Sequence, residues 1–245
     1  MARLQIEYFS NALHRATSFE MLIPNDFPAD IPWENGTAHS RPMSTLFLLH
    51  GYTGKAGNWV PEGLPEKYNF AIVMPTAENS FYLNGEATGT AYQAMIGEEL
   101  VDYVRKTFHL AGGPENTCIA GLSMGGFGAL SSALIVHEIA HMQPGGSNPV
   151  ANYAYYRSCF GDLETVEERD VNPEVLAHRL KAAGAKIPEI YMCCGTEDFL
   201  IENNRQMHCF LESEGIAHEY HESKGIHDMV FWREYIAKIV EWMFA

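Results

Sequence analysis

The sequence has no long apolar run and nothing that resembles a targeting segment. Its opening residues, MARLQIEYFSNALHRATSFEML, lack the continuous apolar stretch and the small-residue cleavage site of a secretory signal. No later run approaches the roughly eighteen apolar residues that are needed to cross a bilayer. These absences predict a cytoplasmic protein that has no membrane partner.

Cysteine is sparse and irregularly placed. The five cysteines lie at positions 118, 159, 193, 194 and 209. An odd count at this spacing fits neither a disulfide framework nor a zinc knuckle. We therefore expect free thiols in a reducing compartment, and no metal or other cofactor.

Positive charge is also scarce. The 16 Lys and Arg residues are scattered singly against 31 Asp and Glu residues, and the formal net charge is −15. Such a balance argues against nucleic acid or an anionic membrane as a partner and disfavours large polyanionic substrates. A small molecule is the expected partner, and a homo-oligomer is compatible with the sequence.

No repeat or linker divides the 245 residues, so a single domain over 1–245 is expected. Short β-rich runs alternate with helical patterns, which predicts a mainly parallel sheet with helices on both faces. Strands are predicted at 18–24, 45–49, 70–74, 116–120, 187–194 and 217–222, and helices at 91–108, 125–134, 203–214 and 229–244. The segment 135–185 is predicted to hold one more strand and then an irregular insertion.

The sequence GLSMGG at 121–126 contains the pattern G-x-S-x-G, with Ser123 at its centre. A serine hydroxyl becomes a useful nucleophile when it is exposed on a sharp strand-to-helix turn, and the flanking glycines relieve the crowding there. A predicted strand leads into the motif and a helix rich in small residues leaves it. This context predicts that Ser123 is a catalytic nucleophile.

A catalytic triad on such a turn needs an acid and then a histidine later in the chain. Asp198 follows a predicted strand, while the neighbouring Glu197 is the rival acid. His227 lies in a loop before the last helix, whereas the other late histidines, at 208, 218 and 221, fall inside predicted elements. Asp228 is predicted to cap the last helix.

The tetrahedral intermediate of such a reaction needs two backbone N–H donors for its oxyanion. One comes from the residue after the nucleophile, which is Met124 here. The second comes from the loop after an earlier strand, and the sequence HGYTG at 50–54 is such a loop. Tyr52 is its predicted donor.

Several segments together resemble the esterase D-type family, which includes tributyrin esterases, S-formylglutathione hydrolases, and bacterial feruloyl and acetyl-xylan esterases. They are LLHGYTGKAGNW, NSFYLNGEATGTAYQAMIGEEL, IAGLSMGGFGAL, CCGTEDFLIENNRQ and GIHDMVFW. They occur in family order between Leu46 and Trp232, and the tributyrin and feruloyl esterase branch is the most similar. The resemblance implies an α/β-hydrolase fold and the same triad and oxyanion donors.

The resemblance also implies that Trp59, Phe81 and Tyr82 border the substrate pocket. A cap insertion at about 136–185 would shape that pocket, although 136–170 departs from the family pattern. The expected activity is hydrolysis of short-chain acyl or hydroxycinnamoyl esters through an acyl-enzyme. An S-formylglutathione hydrolase-like thioesterase is the nearest alternative, and a non-catalytic binding module is another.

A second motif competes with this interpretation. The residues His137, Glu138 and His141 match H-E-x-x-H, the helix of zinc peptidases in which two histidines bind the metal. The motif falls where a strand is expected, however, and strand alternation would separate Glu138 from the two histidines. A zinc peptidase is therefore the less favoured hypothesis.

Overall fold

The computed structural model describes residues 1–24, 42–130, 133–145, 148 and 151–244. Contacts between Cα atoms group the chain into two compact units. The first comprises Met1–Tyr82, Thr88–Ala129 and Trp232–Ala245, and the second comprises Leu83–Ala87 and Leu130–Phe231. Each unit is described by itself below.

The described residues of the first unit form five paired strands: β1 (Ala2–Ser10), β2 (Arg15–Ile23), β3 (Ser44–Leu49), β4 (Phe70–Pro75) and β5 (Thr117–Gly121). The strand order is β1-β2-β4-β3-β5. Strand β3 runs parallel to both of its neighbours, whereas β2 is antiparallel to β1 and β4. All six residues of β3 and all six of β4 are buried, as expected for strands covered on both faces.

The second unit contains one parallel pair, β6 (Ile190–Gly195) and β7 (His218–Ser223). The α-helices found in the described residues are α1 (Leu64–Tyr68), α2 (Tyr92–Ala94), α3 (Val101–Phe108), α4 (Met124–Leu130), α5 (Ala133–Ala140), α6 (Tyr153–Phe160), α7 (Pro173–Ala182), α8 (Ile201–Ser213) and α9 (Met229–Phe244). A π-helical segment, Met95–Leu100, joins α2 to α3, so the helix predicted at 91–108 is divided.

Each unit has its own apolar core. In the first, α9 packs on one face of the parallel strands, and the rings of Phe244 and Phe70 stack with centroids 4.5 Å apart. Burying one such phenylalanine contributes about 1.5–3 kcal/mol to stability. In the second, Met207 and Leu211 of α8 pack against Ile190 and Met192 of β6.

Three parts of the sequence-based description are wrong. Strand β1 was not predicted at all. The strand expected after the nucleophile helix is instead the helix α5. Residues 131 and 132 of the helix predicted at 125–134 lie outside the described part of the chain. The insertion is also not irregular, since α6 and α7 lie within it.

Those two helices begin with side-chain caps. The Asn152 side chain accepts a hydrogen bond from the Tyr155 N–H, and Asn172 accepts one from the Glu174 N–H. Asparagine is among the residues that satisfy the unpaired donors of a helix start most effectively. Asn152 and Asn172 therefore mark helix starts within the segment that was predicted to be irregular.

Candidate active site

Ser123 occupies the turn between β5 and α4 and has a left-handed backbone conformation, with φ at 53°. A Cβ atom at Gly121 would lie 2.1 Å from the carbonyl oxygen of Gly125, and one at Gly125 would lie 2.3 Å from the carbonyl oxygen of Leu49. Since real Cβ atoms do not approach oxygen so closely, both positions require glycine. The motif G-x-S-x-G thus forms the sharp strand-to-helix turn that the sequence predicted.

The loop 50–54 follows β3 and passes directly beside this turn. A Cβ atom at Gly51 would lie 2.7 Å from Leu122 Cδ1 and 3.4 Å from the Cβ of Ser123. The Gly54 N–H donates to the carbonyl oxygen of Gly51, which closes the loop into a tight turn. Tyr52, the predicted second oxyanion donor, lies within that turn.

Asp198 and His227 come together in the second unit. The His227 Nδ1 lies 2.8 Å from Asp198 Oδ2, and the Leu200 N–H donates to Oδ1 at 2.9 Å. The Asp198 side chain is almost fully buried, whereas that of His227 is 21% exposed. Because a carboxylate only accepts hydrogen bonds, Nδ1 is the nitrogen that carries a proton toward Asp198.

Backbone contacts between two loops hold this pair together. The Thr196 N–H donates to the carbonyl oxygen of Ser223, and the Glu197 N–H donates to that of Gly225. A Cβ atom at Gly195 would lie 2.3 Å from the Gly225 oxygen, so a side chain there would separate the loops. Residues 29 positions apart in the sequence thereby become hydrogen-bonded neighbours.

The rival residues have other roles. Glu197 is exposed. Asp228 caps α9 as predicted, since its Oδ1 accepts hydrogen bonds from the N–H groups of Val230 and Phe231. His208 and His218 are hydrogen-bonded to each other at 2.7 Å.

Sequence analysis missed two neighbours of the acid–histidine pair. The Phe199 ring lies 4.6 Å from the His227 ring between centroids, and Phe199 is 75% exposed. Cys194 is the next-to-last residue of β6, and its thiol is within the electrostatic influence of Asp198. Burial, reinforced by the negative charge of Asp198, raises the pKa of the Cys194 thiol to about 12, so it is protonated and not a nucleophile at neutral pH.

Trp59, Phe81 and Tyr82, which were predicted to border the pocket, are all buried in the first unit. Trp59 belongs to its apolar core. Phe81 packs edge-on against Phe127 of α4, with ring centroids 5.5 Å apart. Their role in substrate binding stays a prediction.

The H-E-x-x-H motif lies at the end of α5 and not in a strand. The strand-based argument against zinc therefore does not apply. The side chain of His137, one of the two histidines in the zinc hypothesis, lies outside the described side chains. Among the side chains that are described, no group of three or more His, Cys, Asp or Glu residues could hold a metal ion.

The strand, turn and helix around Ser123 belong to an α/β-hydrolase fold. The family model named Esterase matches residues 10–243, and the chain belongs to that family. It is a carboxylic ester hydrolase, and small-molecule esters are its substrates. The resemblance found in the sequence is thereby confirmed.

One curated relative and two solved structures illustrate the similarity. An acetyl esterase of Caldicellulosiruptor saccharolyticus is 38% identical over 268 aligned residues, covering 99% of this chain and 98% of that protein. The fluorophosphonate-binding serine hydrolase FphF of Staphylococcus aureus, with substrate bound, superposes with a TM-score of 0.81 at 22% identity, over 100% of this chain and 98% of that one. The S-formylglutathione hydrolase FrmB of Staphylococcus aureus gives 0.79 at 22% identity, over 100% and 99%.

None of the helices in the described residues has both the length and the apolar character that a bilayer crossing requires.

Proposed function

We propose that this enzyme hydrolyses short-chain acyl esters, acetyl esters foremost, with Ser123, Asp198 and His227 as its catalytic triad. The strained, glycine-flanked turn at Ser123 is the observation that carries the proposal. Strain of this kind persists where the surrounding structure maintains it and is concentrated at functional sites. The 38% identity to an acetyl esterase favours an acetyl group over a larger acyl group.

His227 is the proposed general base. Its Nδ1–H is engaged by Asp198, so Nε2 is the nitrogen that accepts the Ser123 proton. As that proton leaves, the Ser123 Oγ attacks the ester carbonyl carbon and a tetrahedral oxyanion forms. The Asp198 carboxylate stabilises the positive charge that develops on the imidazole.

The oxyanion then collapses and breaks the bond to the alcohol oxygen, which departs with the proton held on His227. A water molecule next gives a proton to His227 and attacks the acyl-Ser123 ester. The second tetrahedral intermediate releases the acid, and the Ser123 Oγ regains the proton. The backbone N–H groups of Met124 and Tyr52 are the proposed donors to both oxyanions.

Replacing the nucleophile tests this proposal. We expect Ser123→Ala to lower kcat on 4-nitrophenyl acetate by at least about 1,000-fold, because the acyl-enzyme can no longer form. The variant should also lose labelling by a fluorophosphonate probe. Methyl ferulate, 4-nitrophenyl butyrate and S-formylglutathione, assayed in parallel, would rank the acyl groups and the thioester alternative.

Ser158→Ala is the matched control, because Ser158 is an exposed serine on α6. It should keep full activity and full labelling. Activity that survives in Ser123→Ala but is abolished by a chelator would reject the serine mechanism and redirect attention to His137 and His141.

A further inference from the structure

The loop 50–54, which carries the proposed donor Tyr52, is held at its first residue by a buried imidazole. His50 Nε2 lies 3.1 Å from the Ala77 backbone nitrogen, and His50 Nδ1 lies 2.8 Å from the carbonyl oxygen of Gly51. Because a backbone N–H can only donate, Nε2 accepts from Ala77 and Nδ1–H donates to Gly51. Burial lowers the pKa of His50, which is consistent with this neutral form.

Two side chains from the loop 79–82 hold the same segment on both sides of Tyr52. The Tyr82 hydroxyl donates to the carbonyl oxygen of His50 at 2.8 Å. The Asn79 Oδ1 accepts from the Thr53 N–H at 2.7 Å. These two hydrogen bonds anchor the peptide units on either side of the Gly51–Tyr52 peptide, which carries the Tyr52 N–H, and so they restrict its rotation.

The loop 79–82 also contacts the nucleophile helix. The Tyr82 ring lies so close to Gly128 of α4 that a Cβ there would be 2.6 Å from it, and Phe81 packs edge-on against Phe127. One loop thus contacts the segment with the oxyanion donor and the helix that follows Ser123.

The backbone of this loop is itself strained. Phe81 and Tyr82 have φ angles of 51° and 58°, in the left-handed region that bulky residues seldom adopt. The conformation directs both aromatic side chains into contacts with α4 and, for Tyr82, with His50. A strained conformation of this kind is kept where several contacts maintain it.

We infer that Tyr82 and Asn79 are positioning residues that orient the Tyr52 N–H toward the oxyanion. The inference rests on the proposed function, in which Tyr52 is a donor. An oxyanion donor is effective only when it is aimed at the oxygen of the intermediate in advance. Tyr82, which the family resemblance places at the border of the substrate pocket, would therefore act through the backbone of the loop 50–54.

The test compares Tyr82→Phe with wild type on 4-nitrophenyl acetate and 4-nitrophenyl butyrate. We expect kcat to fall roughly 10- to 100-fold on both esters alike, with little change in KM, because a misaimed donor weakens the transition state regardless of acyl length. The Ki of butylboronic acid, whose tetrahedral adduct occupies the oxyanion site, should rise in step with the loss of kcat/KM. The concentration of active sites is determined by complete labelling with a fluorophosphonate, and kcat is calculated per active site, so that misfolded protein does not affect it.

Tyr92→Phe is the matched control. Tyr92 is also buried in the first unit, and its hydroxyl accepts a hydrogen bond from Arg15. Its removal should lower stability but leave kcat and the boronic acid Ki unchanged.

Asn79 gives a second, independent variant pair. Asn79→Ala removes the acceptor for the Thr53 N–H, and its kcat should fall as that of Tyr82→Phe does. Asn79→Asp keeps an acceptor there, so its kcat should stay within about 3-fold of wild type.

An unchanged kcat and boronic acid Ki in Tyr82→Phe would overturn the inference. A changed ratio of kcat/KM between the acetate and the butyrate ester at constant kcat would also overturn it, because that result is expected when Tyr82 contacts the acyl group directly. Ser123→Ala distinguishes a failure of the proposed function from a failure of this inference. If Ser123→Ala is inactive while Tyr82→Phe has the kcat of wild type, the serine mechanism stands and only the positioning role fails.

Discussion

Both carboxylate oxygens of Asp198 have a defined partner, one a backbone N–H and the other the imidazole of His227. An asparagine at this position could turn its NH₂ group toward His227. The imidazole would then have to accept at Nδ1 and carry its proton on Nε2, which is the wrong tautomer for a base. The chemistry at this residue depends on the direction of one hydrogen bond.

Asp198→Asn is therefore expected to lower kcat on 4-nitrophenyl acetate roughly 1,000- to 10,000-fold while the protein stays folded. The measurement is steady-state kinetics with thermal unfolding as a check on folding. Glu197→Gln makes the same change of acid to amide one residue earlier, on an exposed side chain, and should have no such effect. Similar losses in the two variants would contradict the assignment of Asp198.

At the scale of elements, one ionic cluster joins α8 to β7 in the second unit. Arg205 Nε and Nη2 lie 2.8 and 2.7 Å from the two carboxylate oxygens of Glu222, and the Tyr220 hydroxyl donates to the same carboxylate at 2.6 Å. The hydrogen bonds from Arg205 and then from Tyr220 lower the pKa of Glu222 to about 2. The strand held in this way leads into the loop that carries His227.

The stabilisation by Glu222 should depend on pH. Its carboxyl group has an ordinary pKa of 4.5, and the folded value is lower. The contribution is therefore complete above about pH 4.5 and disappears as the pH falls through that value toward 2. In urea unfolding, Glu222→Gln should be less stable than wild type at pH 7, and the difference should shrink at pH 3.

Glu189→Gln changes an exposed carboxyl group just before β6 in the same way; it serves as the matched control and should leave the stability at pH 7 unchanged. A difference between Glu222→Gln and wild type that is as large at pH 3 as at pH 7 would argue against the ionic contribution.

Elements were predicted well where one local pattern dominates. The runs that form β3 and β4 are continuously apolar and buried, so their length and type were evident. Strand β1 alternates between half-buried and exposed residues over most of its length, and that weaker signal was missed. Helix α5 was taken for a strand because short apolar runs suit both structures.

At the scale of the whole molecule, the net charge of −15 should influence the rate at which charged esters associate with the enzyme. Anionic substrates are repelled over distances comparable to the Debye length, and salt screens that repulsion. We expect kcat/KM for 4-acetoxybenzoate, an anionic aryl acetate, to rise a few-fold between roughly 10 and 150 mM salt.

4-Nitrophenyl acetate is the neutral counterpart, and its kcat/KM should hardly change with salt. If kcat/KM of both esters changes equally with salt, the salt acts on the enzyme itself and not on the association of the charged substrate with it. If neither responds, a local basic region outweighs the net charge.

The sharp turn at Ser123 and the type of the main strands could be predicted from the sequence alone, because these features depend on residues within a few positions of each other. Gly121, Ser123 and Gly125 form one turn whose sterics can be read locally. Only the tertiary structure decided which side chains support the predicted site. The Asp198–His227 hydrogen bond and the contact of Tyr82 with His50 join residues 29 and 32 positions apart. Such pairings depend on how distant segments pack, and no local pattern of residues encodes that.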